Sequence, residues 1–321
     1  MNRIRVGVIG VGHLGKFHAD NYNKIPEAEL IGIYDIDEEK SKALADRFGC
    51  IKFKTLDSLL DRVEAVTISV PTDQHFDIAK RVIDREIHCM IEKPITESLK
   101  QADYLIDQAQ KRKVVLHVGH IERFNPALRA LKNIELNPLF IESHRLSPFN
   151  PRGTEVSVIL DLMIHDIDIV LDTVKSRPDK IDASGVAVIS KSVDIANARI
   201  HFENGCVANL TASRISQKKM RKMRLFQKDA YISIDFLEMV SEIFRLGKKP
   251  EEGYRVIDEI GEDKKLKILY SRPRTPEKLG LQKELEIFLS AVNGEQVEGV
   301  TGEDAREALS VALQILEQIE K

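Results

Sequence analysis

A glycine-rich turn near the amino terminus constrains the fold more than any other feature of the sequence. Gly10, Gly12 and Gly15 fit the pattern GxGxxG, which follows a short apolar strand at Ile4–Ile9 and opens a helix at residues 13–24. In such a unit the first glycine permits a tight turn, the second lets a phosphate approach the backbone, and the third lets helix and strand pack closely. The pattern predicts the first unit of a doubly wound, parallel α/β sheet.

Alternating strands and helices continue to about residue 120. Further strands are predicted at residues 30–34, 65–70, 87–91 and 114–118, and helices at residues 38–48, 72–86 and 98–111. Repeated strand–helix units predict a parallel sheet with helices on both faces. We therefore assign residues 1–120 to an α/β domain of the Rossmann type.

The second half of the chain predicts an α+β domain at residues 121–321. A strand at residues 139–146 and a long apolar helix at 156–174 precede alternating strands at residues 183–189, 196–202, 206–215, 221–226 and 230–235. Glu203-Asn204-Gly205 is typical of a hairpin turn. We expect an open, mostly antiparallel sheet with helix on one face. Helices predicted at residues 277–292 and 302–319 could pack back on the first domain, and residues 244–275 yield no prediction.

Length and composition exclude several classes of protein. The 321 residues correspond to about two domains. Lys and Arg total 48 and Asp and Glu total 51, a net charge of −3, which argues against a nucleic-acid binder. No apolar run approaches the roughly 18 residues that a membrane span needs, and the amino terminus lacks a signal-peptide cleavage site. The three cysteines, far apart in sequence, build no disulfide framework, so we expect a reducing, cytoplasmic setting.

An acidic residue at the end of the second strand indicates which dinucleotide the turn accepts. Asp35 lies about 20 residues after Gly15, where a carboxylate accepts hydrogen bonds from the ribose 2′-hydroxyl and repels a 2′-phosphate. Ile36 follows Asp35 where an NADP site favours arginine, so we predict NAD. Its pyrophosphate would lie at Gly10, Gly12, His13, Leu14 and Gly15. The alternative is a structural glycine turn beside a surface aspartate.

Two further strand ends are expected to line the same crevice, because ligands of such sheets bind at the carboxyl ends of the strands. One strand end supplies candidate cofactor contacts at Ser69, Pro71, Thr72 and His75. Thr72 would serve equally as a helix cap, and His75 as a partly buried helix residue. Glu92 and Lys93 end another strand. Beside a nicotinamide, Lys93 can bind a substrate hydroxyl and lower its pKa, although a lysine before proline is often only a solvated loop residue.

The apolar helix carries an unusual stripe of acid and base side chains. Asp161, His165 and Asp168 are spaced at i, i+4 and i+7 among apolar residues. Because buried charge is costly, we expect this stripe to face a cavity or to have strong partners. Asp161 would fix the tautomer of His165 and raise its basicity, as a general base requires. The alternatives are a polar stripe at a domain or subunit interface and a metal site, which the lack of further paired ligands disfavours.

Two other segments have open roles. Arg123 and Asn125 follow the last strand of the first half, where they either contact the substrate or brace the domain junction. Residues 217–228 are strongly basic in an acidic chain and contain Lys218, Lys219, Arg221, Lys222, Arg224 and Lys228. Cations of this kind are typical of a solvated edge strand that resists aggregation.

In these motifs the sequence resembles the Gfo/Idh/MocA oxidoreductases. The resemblance rests on GVIGVGHLGKFHA, SVPTDQHFDIA, Glu92-Lys93-Pro94, GHIERFNPA and Asp161-x-x-x-His165, which occur in family order along nearly the whole chain. It implies a Rossmann domain followed by an α/β domain whose open antiparallel sheet often serves oligomerisation, here as a homodimer or homotetramer. It also implies that Lys93 contacts the substrate hydroxyl and the nicotinamide. His165 would be the acid/base, Asp161 the partner of His165 and substrate, and the Lys93–Pro94 bond cis.

Within the family, GHIERFNPA and residues 145–170 most resemble the enzymes that oxidise the C3 hydroxyl of UDP-N-acetylglucosamine. Such enzymes supply an aminotransferase on the way to diamino sugars of lipid A in lipopolysaccharide or of other surface glycans. The resemblance therefore implies an NAD-dependent dehydrogenase of a nucleotide sugar, whose pyrophosphate would meet some cations of residues 217–228. The alternatives are a dehydrogenase of a free sugar or an inositol-like cyclitol, and a non-catalytic NAD-binding regulator, which needs no acid/base set.

Overall fold

A computed structural model describes residues 3–151, 156–261, 266–277 and 279–320 of the chain. The chain divides into two compact units, Met1–Phe124 with Lys278–Leu309 and Asn125–Glu277 with Ser310–Lys321. Residues 152–155, which form part of the second stretch of family resemblance, lie outside the described residues. So do residues 262–265, within the segment that yields no prediction from sequence.

A parallel sheet organises the first unit, and within the described residues it has six strands. They are β1 (Ile4–Ile9), β2 (Ala28–Tyr34), β3 (Ile51–Lys52), β4 (Ala65–Ile68), β5 (His88–Glu92) and β6 (Leu116–Gly119). The order is β3-β2-β1-β4-β5-β6, and all neighbours are parallel. Because the order reverses at β1, the sheet has the switch point at which such folds bind ligands. The predicted doubly wound Rossmann fold is confirmed.

Helices connect these strands, and local capping sets several of their boundaries. They are α1 (Gly15–Tyr22), α2 (Glu38–Phe48), α3 (Leu56–Leu60), α4 (His75–Asp84) and α5 (Leu99–Arg112). Short 3-10 turns occur at Thr72–Gln74 and Ile121–Phe124. The side chains of Asp37, Thr55 and Ser98 cap α2, α3 and α5 by accepting a backbone N–H.

An open sheet dominates the second unit, with nine strands in the part of the chain that the structure describes. They are β7 (Phe140–Leu146), β8 (Pro178–Val186), β9 (Ile195–Phe202), β10 (Val207–Ser213), β11 (Met220–Phe226), β12 (Ala230–Asp235), β13 (Val240–Gly247), β14 (Arg255–Ile260) and β15 (Leu266–Ser271). The order is β14-β15-β13-β12-β11-β7-β10-β9-β8. Neighbours are antiparallel except β7 and β10. The prediction of a mostly antiparallel sheet is confirmed.

Side chains alternate between the two faces of this sheet along each strand, and helices cover one of these faces. The short helix α6 (Pro126–Arg129) contacts β12 and β13, and α7 (Ile164–Val174) packs on β7 and β10. A buried ion pair fixes α7 to the sheet. Arg145 on β7 donates from Nη2 to Oδ1 of Asp166 at 2.7 Å and from Nε to Oδ2 at 3.1 Å.

The last two helices are α8 (Gly280–Val292) and α9 (Gly302–Ile319). Leu285, Phe288 and Leu289 of α8 belong to the apolar core around β1, β2 and α1. A segment near the carboxyl terminus therefore completes the core of the first unit. Across the described ranges, no helix combines the length and the apolar character that crossing a membrane requires.

Three local predictions are wrong. The segment expected to be one α-helix at residues 156–174 contains a π-helical turn, Ile159–Met163, before α7. The basic segment is not an edge strand, since β11 lies between β12 and β7 and the edges are β8 and β14. The strand expected at residues 183–189 begins earlier, at Pro178, because β8 pairs with all of β9.

Candidate active site

The turn after β1 has the conformation that the glycine pattern predicts. Gly10 has a φ of +80°, and a Cβ there would lie 2.5 Å from the carbonyl oxygen of Ser69. A Cβ on Gly15 would lie 1.9 Å from the carbonyl oxygen of Gly10. Both positions therefore require glycine, Gly10 for its left-handed backbone and both for the close packing of the turn.

Gly12 lies on the open side of this turn. Among the described residues, a Cβ at Gly12 would meet no atom within 4 Å, and the neighbouring side chains of His13 and Leu14 are exposed. No side chain caps α1, which begins at Gly15, so its first backbone N–H groups point to a space that an anion can enter. This space beside Gly12 fits the pyrophosphate of a dinucleotide. The helix α1 begins at Gly15, not at residue 13 as predicted, because the glycine turn extends to that point.

Asp35 ties the end of β2 to the glycine turn. Its Oδ2 accepts the backbone N–H of Val11 at 2.6 Å, and its Oδ1 accepts that of Asp37 at 2.8 Å. Each carboxylate oxygen can accept a second hydrogen bond. The carboxylate therefore fits a ribose diol while it holds the turn in place.

The segment after β4 differs from expectation at Thr72. Thr72 begins a 3-10 turn whose N-cap is Pro71, and α4 starts after Gln74 without a side-chain cap. The helix-cap interpretation of Thr72 is therefore wrong. The backbone N–H of Ser69 donates to Ile9 at 2.8 Å, so the segment leaves the sheet directly beside the glycine turn.

His75 connects the ends of two strands. Its side chain is 1% exposed, so it is more deeply buried than the sequence indicates. Nδ1 lies 2.9 Å from the carbonyl oxygen of Pro94, and Nε2 lies 3.0 Å from that of Val70. Burial lowers the pKa of His75 although both carbonyls favour the charged form. A neutral His75 therefore donates to one carbonyl and braces the loop after β4 against the loop after β5.

Glu92 pairs with a buried histidine of α1 that sequence reasoning missed. Its Oε1 lies 2.7 Å from Nε2 of His18, whose side chain is 1% exposed. Its Oε2 accepts the backbone N–H of Lys93 at 3.3 Å. Burial raises the pKa of Glu92, but the His18 hydrogen bond and the charges of His18 and Lys93 outweigh it and bring the pKa below its usual value. Glu92 is therefore a carboxylate directly before Lys93. The Lys93–Pro94 bond is cis, as the resemblance implies.

Arg123 and Asn125 both have contacts within their own units. Nη1 of Arg123 lies 3.7 Å from Oδ2 of Asp304. Asn125 caps α6, since its Oδ1 accepts the backbone N–H of Ala127 at 3.0 Å, and its Nδ2 donates to the carbonyl oxygen of Phe236 at 3.1 Å. Asn125 thus positions α6 within the second unit, and the two alternatives for Arg123 and Asn125, substrate contact or bracing of the domain junction, stay predictions.

The predicted acid/base pair lies where the π-helical turn meets α7. Asp161 belongs to the turn Ile159–Met163, and His165 is the second residue of α7. Such turns are frequent at functional sites. Asp161 and His165 are partly exposed, whereas Asp168 is buried. In the ranges that the structure describes, no group of three His, Cys, Asp or Glu side chains could hold a metal ion.

Asp161 opens into a pocket of about 320 Å³ within the second unit. The pocket is lined by Ser147, Pro148, Asn150, Asp161, Leu162, Arg214, Lys219 and Arg221. One carboxylate and three cations thus share a space of the size that ligands occupy. Sequence reasoning noted Lys219 and Arg221 only as part of a basic segment, and it missed Arg214, which directly follows β10.

Comparison with known proteins defines the class to which the chain belongs. Residues 4–120 match the model described as "Oxidoreductase family, NAD-binding Rossmann fold", and residues 140–233 match that of the GFO/IDH/MocA C-terminal domain. The chain belongs to the Gfo/Idh/MocA family and is an NAD-binding oxidoreductase. The family, the oxidoreductase class and the cofactor predicted from the sequence are confirmed.

The matches include a relative that is similar over the full length. It is the UDP-N-acetylglucosamine 3-dehydrogenase of Acidithiobacillus ferrooxidans, 38% identical over 321 residues, which are 100% of this chain and 98% of that protein. A solved structure of UDP-N-acetylglucosamine 3-dehydrogenase GnnA from the same organism has a TM-score of 0.89 at 36% identity, covering 100% of this chain and 99% of its own. The myo-inositol 2-dehydrogenase of Thermotoga maritima is 26% identical over 229 residues, 66% of this chain and 69% of that protein.

Proposed function

We propose that the chain oxidises a secondary hydroxyl of a sugar with NAD, and that this hydroxyl is C3 of UDP-N-acetylglucosamine, which becomes the 3-keto sugar. The observation that carries the proposal is that Asp161, beside the candidate base His165, lines a pocket of ligand size. The likeness to a UDP-N-acetylglucosamine 3-dehydrogenase over the whole chain supports this choice of substrate.

Three side chains divide the chemistry of hydroxyl oxidation. His165 accepts the proton of the hydroxyl, Asp161 orients His165, and Lys93 polarises the hydroxyl oxygen and lowers its pKa. When bound, the dinucleotide supplies the hydride acceptor. Arg123 and Asn125 complete the proposed substrate site, Asn125 through the position of α6.

The two parts of the chain divide the binding of cofactor and substrate. Residues 1–120 hold NAD, and residues 121–321 hold the substrate and mediate oligomerisation. The proposed cofactor contacts are Gly10, Gly12, His13, Leu14, Gly15, Asp35, Ser69, Pro71, Thr72 and Lys93. His75 and Glu92 contribute to the cofactor site through the loops that they brace.

The proposed setting is a cytoplasmic homodimer or homotetramer. Cys50, Cys89 and Cys206 are free thiols, which suits a reducing compartment. The 3-keto sugar carries a ketone whose oxygen can be replaced by an amino group. An aminotransferase reaction is therefore proposed to consume the product.

The second candidate function is oxidation of a free sugar or a cyclitol. The observation that favours it is the likeness to a myo-inositol 2-dehydrogenase over two thirds of the chain. A substrate of this kind would have no phosphate to meet the cations beside Asp161.

A substrate panel tests the proposed function against this alternative. The purified protein is incubated with NAD and UDP-N-acetylglucosamine, UDP-glucose, free N-acetylglucosamine or myo-inositol, and NADH formation is followed by absorbance. We expect UDP-N-acetylglucosamine to be oxidised and both unphosphorylated compounds to be inert. If a free sugar or myo-inositol reacts as well as the UDP-sugar, the second candidate replaces the first.

A further inference from the structure

The basic segment at residues 217–228 divides between the two faces of the sheet. Side chains alternate along β11, so Lys222 and Arg224 share one face. There Lys222 lies 3.0 Å from Asp235, and Arg224 lies 2.8 Å from Glu142. Acidic side chains of the neighbouring strands therefore balance these two cations.

Arg221, on the other face of β11, and Lys219, just before the strand, line the pocket that contains Asp161. Arg214 adds a third cation to the same pocket, although the chain as a whole has a net charge of −3. We propose that Arg214, Lys219 and Arg221 form the subsite for the diphosphate of a nucleotide sugar. This assignment rests on the function proposed above and names the groups that select its substrate class.

Arg214 is held in place before any ligand arrives. Its side chain is buried, Nη2 donates to the carbonyl oxygen of Val156 at 2.5 Å, and Nε lies 4.0 Å from Oδ1 of Asp194. The backbone N–H of Arg214 also donates to the carbonyl oxygen of Asp194 at 2.9 Å. A guanidinium fixed in this way loses little conformational entropy when it meets an anion.

Asp194 is itself locked as a carboxylate. Its Oδ2 accepts the backbone N–H groups of Val188, Ile189 and Ser190 at 2.8, 2.7 and 2.9 Å, and its Oδ1 accepts the Ser190 hydroxyl at 2.6 Å. Burial raises the pKa of Asp194, but these hydrogen bonds outweigh it and hold the pKa well below the usual value. The charge that faces Arg214 therefore persists throughout the neutral pH range.

The chemistry of the three cations suits a diphosphate. Arginine can donate two parallel hydrogen bonds to phosphate oxygens, and lysine adds a mobile point charge. The position of Asp161 in the same pocket means that the reacting hydroxyl and the anionic diphosphate substituent of one sugar ring can be held together. An uncharged sugar would leave the cations without this partner.

Variants of two pocket cations, compared with a variant of a neighbouring lysine outside the pocket, test the subsite. We would compare Lys219→Ala and Arg221→Gln with Lys218→Ala, which removes an exposed cation that does not line the pocket. KM for UDP-N-acetylglucosamine, competitive inhibition by UDP and KM for NAD would be measured, with melting temperature as the check on folding. Arg221→Lys keeps the charge but loses the paired hydrogen bonds.

The subsite predicts that Lys219→Ala and Arg221→Gln each raise KM for the UDP-sugar and weaken UDP inhibition by about tenfold or more. KM for NAD should stay unchanged, Lys218→Ala should match the wild type, and Arg221→Lys should be intermediate. Added salt should weaken UDP inhibition of the wild type.

The outcomes separate this inference from the proposed function. If the wild type oxidises UDP-N-acetylglucosamine but both pocket variants keep their KM and their inhibition by UDP, the subsite is overturned and the proposed function stands. If Lys218→Ala weakens UDP inhibition as much as Lys219→Ala does, general surface charge replaces the subsite. If the wild type does not oxidise UDP-sugars at all, the proposed function fails first and the subsite fails with it.

Discussion

Lys93 is held in position by two buried imidazoles. His18 on α1 pairs with Glu92, which accepts the backbone N–H of Lys93, and His75 on α4 meets the carbonyl oxygen of Pro94. The backbone N–H of Lys93 and the carbonyl oxygen of the next residue, Pro94, are thus tied to helices of the first unit. A group that must meet one hydroxyl oxygen benefits from such fixed placement, because small displacements reduce the rate strongly.

Removal of the proposed reacting groups should abolish most turnover while NAD still binds. Lys93→Met and His165→Ala are each expected to lower kcat by about 10²–10⁴-fold, the usual contribution of one acid/base contact. Turnover would be measured with UDP-N-acetylglucosamine, and NAD binding by calorimetry. Lys100→Met, an exposed lysine at the start of α5, is the control. Near-normal turnover of either folded variant would refute the role of that residue.

Asp35 predicts a preference for NAD over NADP. Its carboxylate is fixed by the N–H groups of Val11 and Asp37, so it cannot turn away from a 2′-phosphate without breaking these bonds. We expect kcat/KM for NAD to exceed that for NADP under identical conditions. A clear preference for NADP would overturn the ribose assignment.

Asp194 should make a pH-dependent contribution to stability. Its Asn variant replaces charge-assisted hydrogen bonds, so we expect the free energy of unfolding to fall by about 2–3 kcal/mol at neutral pH. The folded-state pKa lies below the unfolded value of about 3.9. The contribution is therefore present above that value and is lost as the pH falls toward the folded-state pKa.

Urea unfolding of wild type and Asp194→Asn between about pH 5 and pH 3 measures this effect. The difference in unfolding free energy should shrink as the pH falls. A difference that stays constant across that range would mean that the hydrogen bonds of Asp194 do not depend on its charge.

At the scale of elements, the sequence predicts best where the signal is local. α2, α9 and β12 begin and end at the predicted residues, since Asp37 and Gly49 bound α2 and periodic apolar residues mark the others. β14 is exposed at every position, so it offers no alternation to detect. β3 has only two residues and α3 only five, too few for any period.

The candidate site divides in the same way. The glycine turn and the strand ends were predictable because each follows from residues that are neighbours in sequence, and Asp35 was predictable from its spacing after Gly15. The pairing of His18 with Glu92 joins residues 74 positions apart, and the contact of Arg214 with Asp194 depends on the pairing of β9 with β10. Neither contact produces a local sequence pattern from which it could be predicted.

At the scale of the whole molecule, a row of aromatic rings crosses the face of the second sheet opposite to α7. It runs from β7 to β15 through Phe140, Phe226, Tyr231, Phe244 and Tyr270, with ring centroids 5.1 to 5.8 Å apart. Phe226 is 37% exposed. The other four rings are partly buried. Aromatic side chains at a surface are enriched in protein interfaces, so this face is the one that we propose for self-association.

A charge in the aromatic row should therefore disrupt the oligomer. Phe226→Glu is expected to shift the protein toward the monomer, as measured by light scattering after size exclusion. Ile51→Glu, at an exposed position on β3 in the first unit, is the control and should keep the wild-type assembly. An unchanged assembly of Phe226→Glu, or a monomeric wild type, would show that this face does not mediate assembly.

Isotopic labelling tests whether hydride leaves C3 of UDP-N-acetylglucosamine, as the proposed function requires. The enzyme would be incubated with NAD and substrate deuterated at C3, and the reduced dinucleotide analysed by mass spectrometry, with substrate deuterated at C4 as the control. We expect the C3 label to pass to the dinucleotide, turnover to slow with the C3-labelled substrate, and the C4 label to stay in the sugar. Transfer of the C4 label, or NADH formation with the C3 label retained in the sugar, would show that C3 is not the carbon that is oxidised.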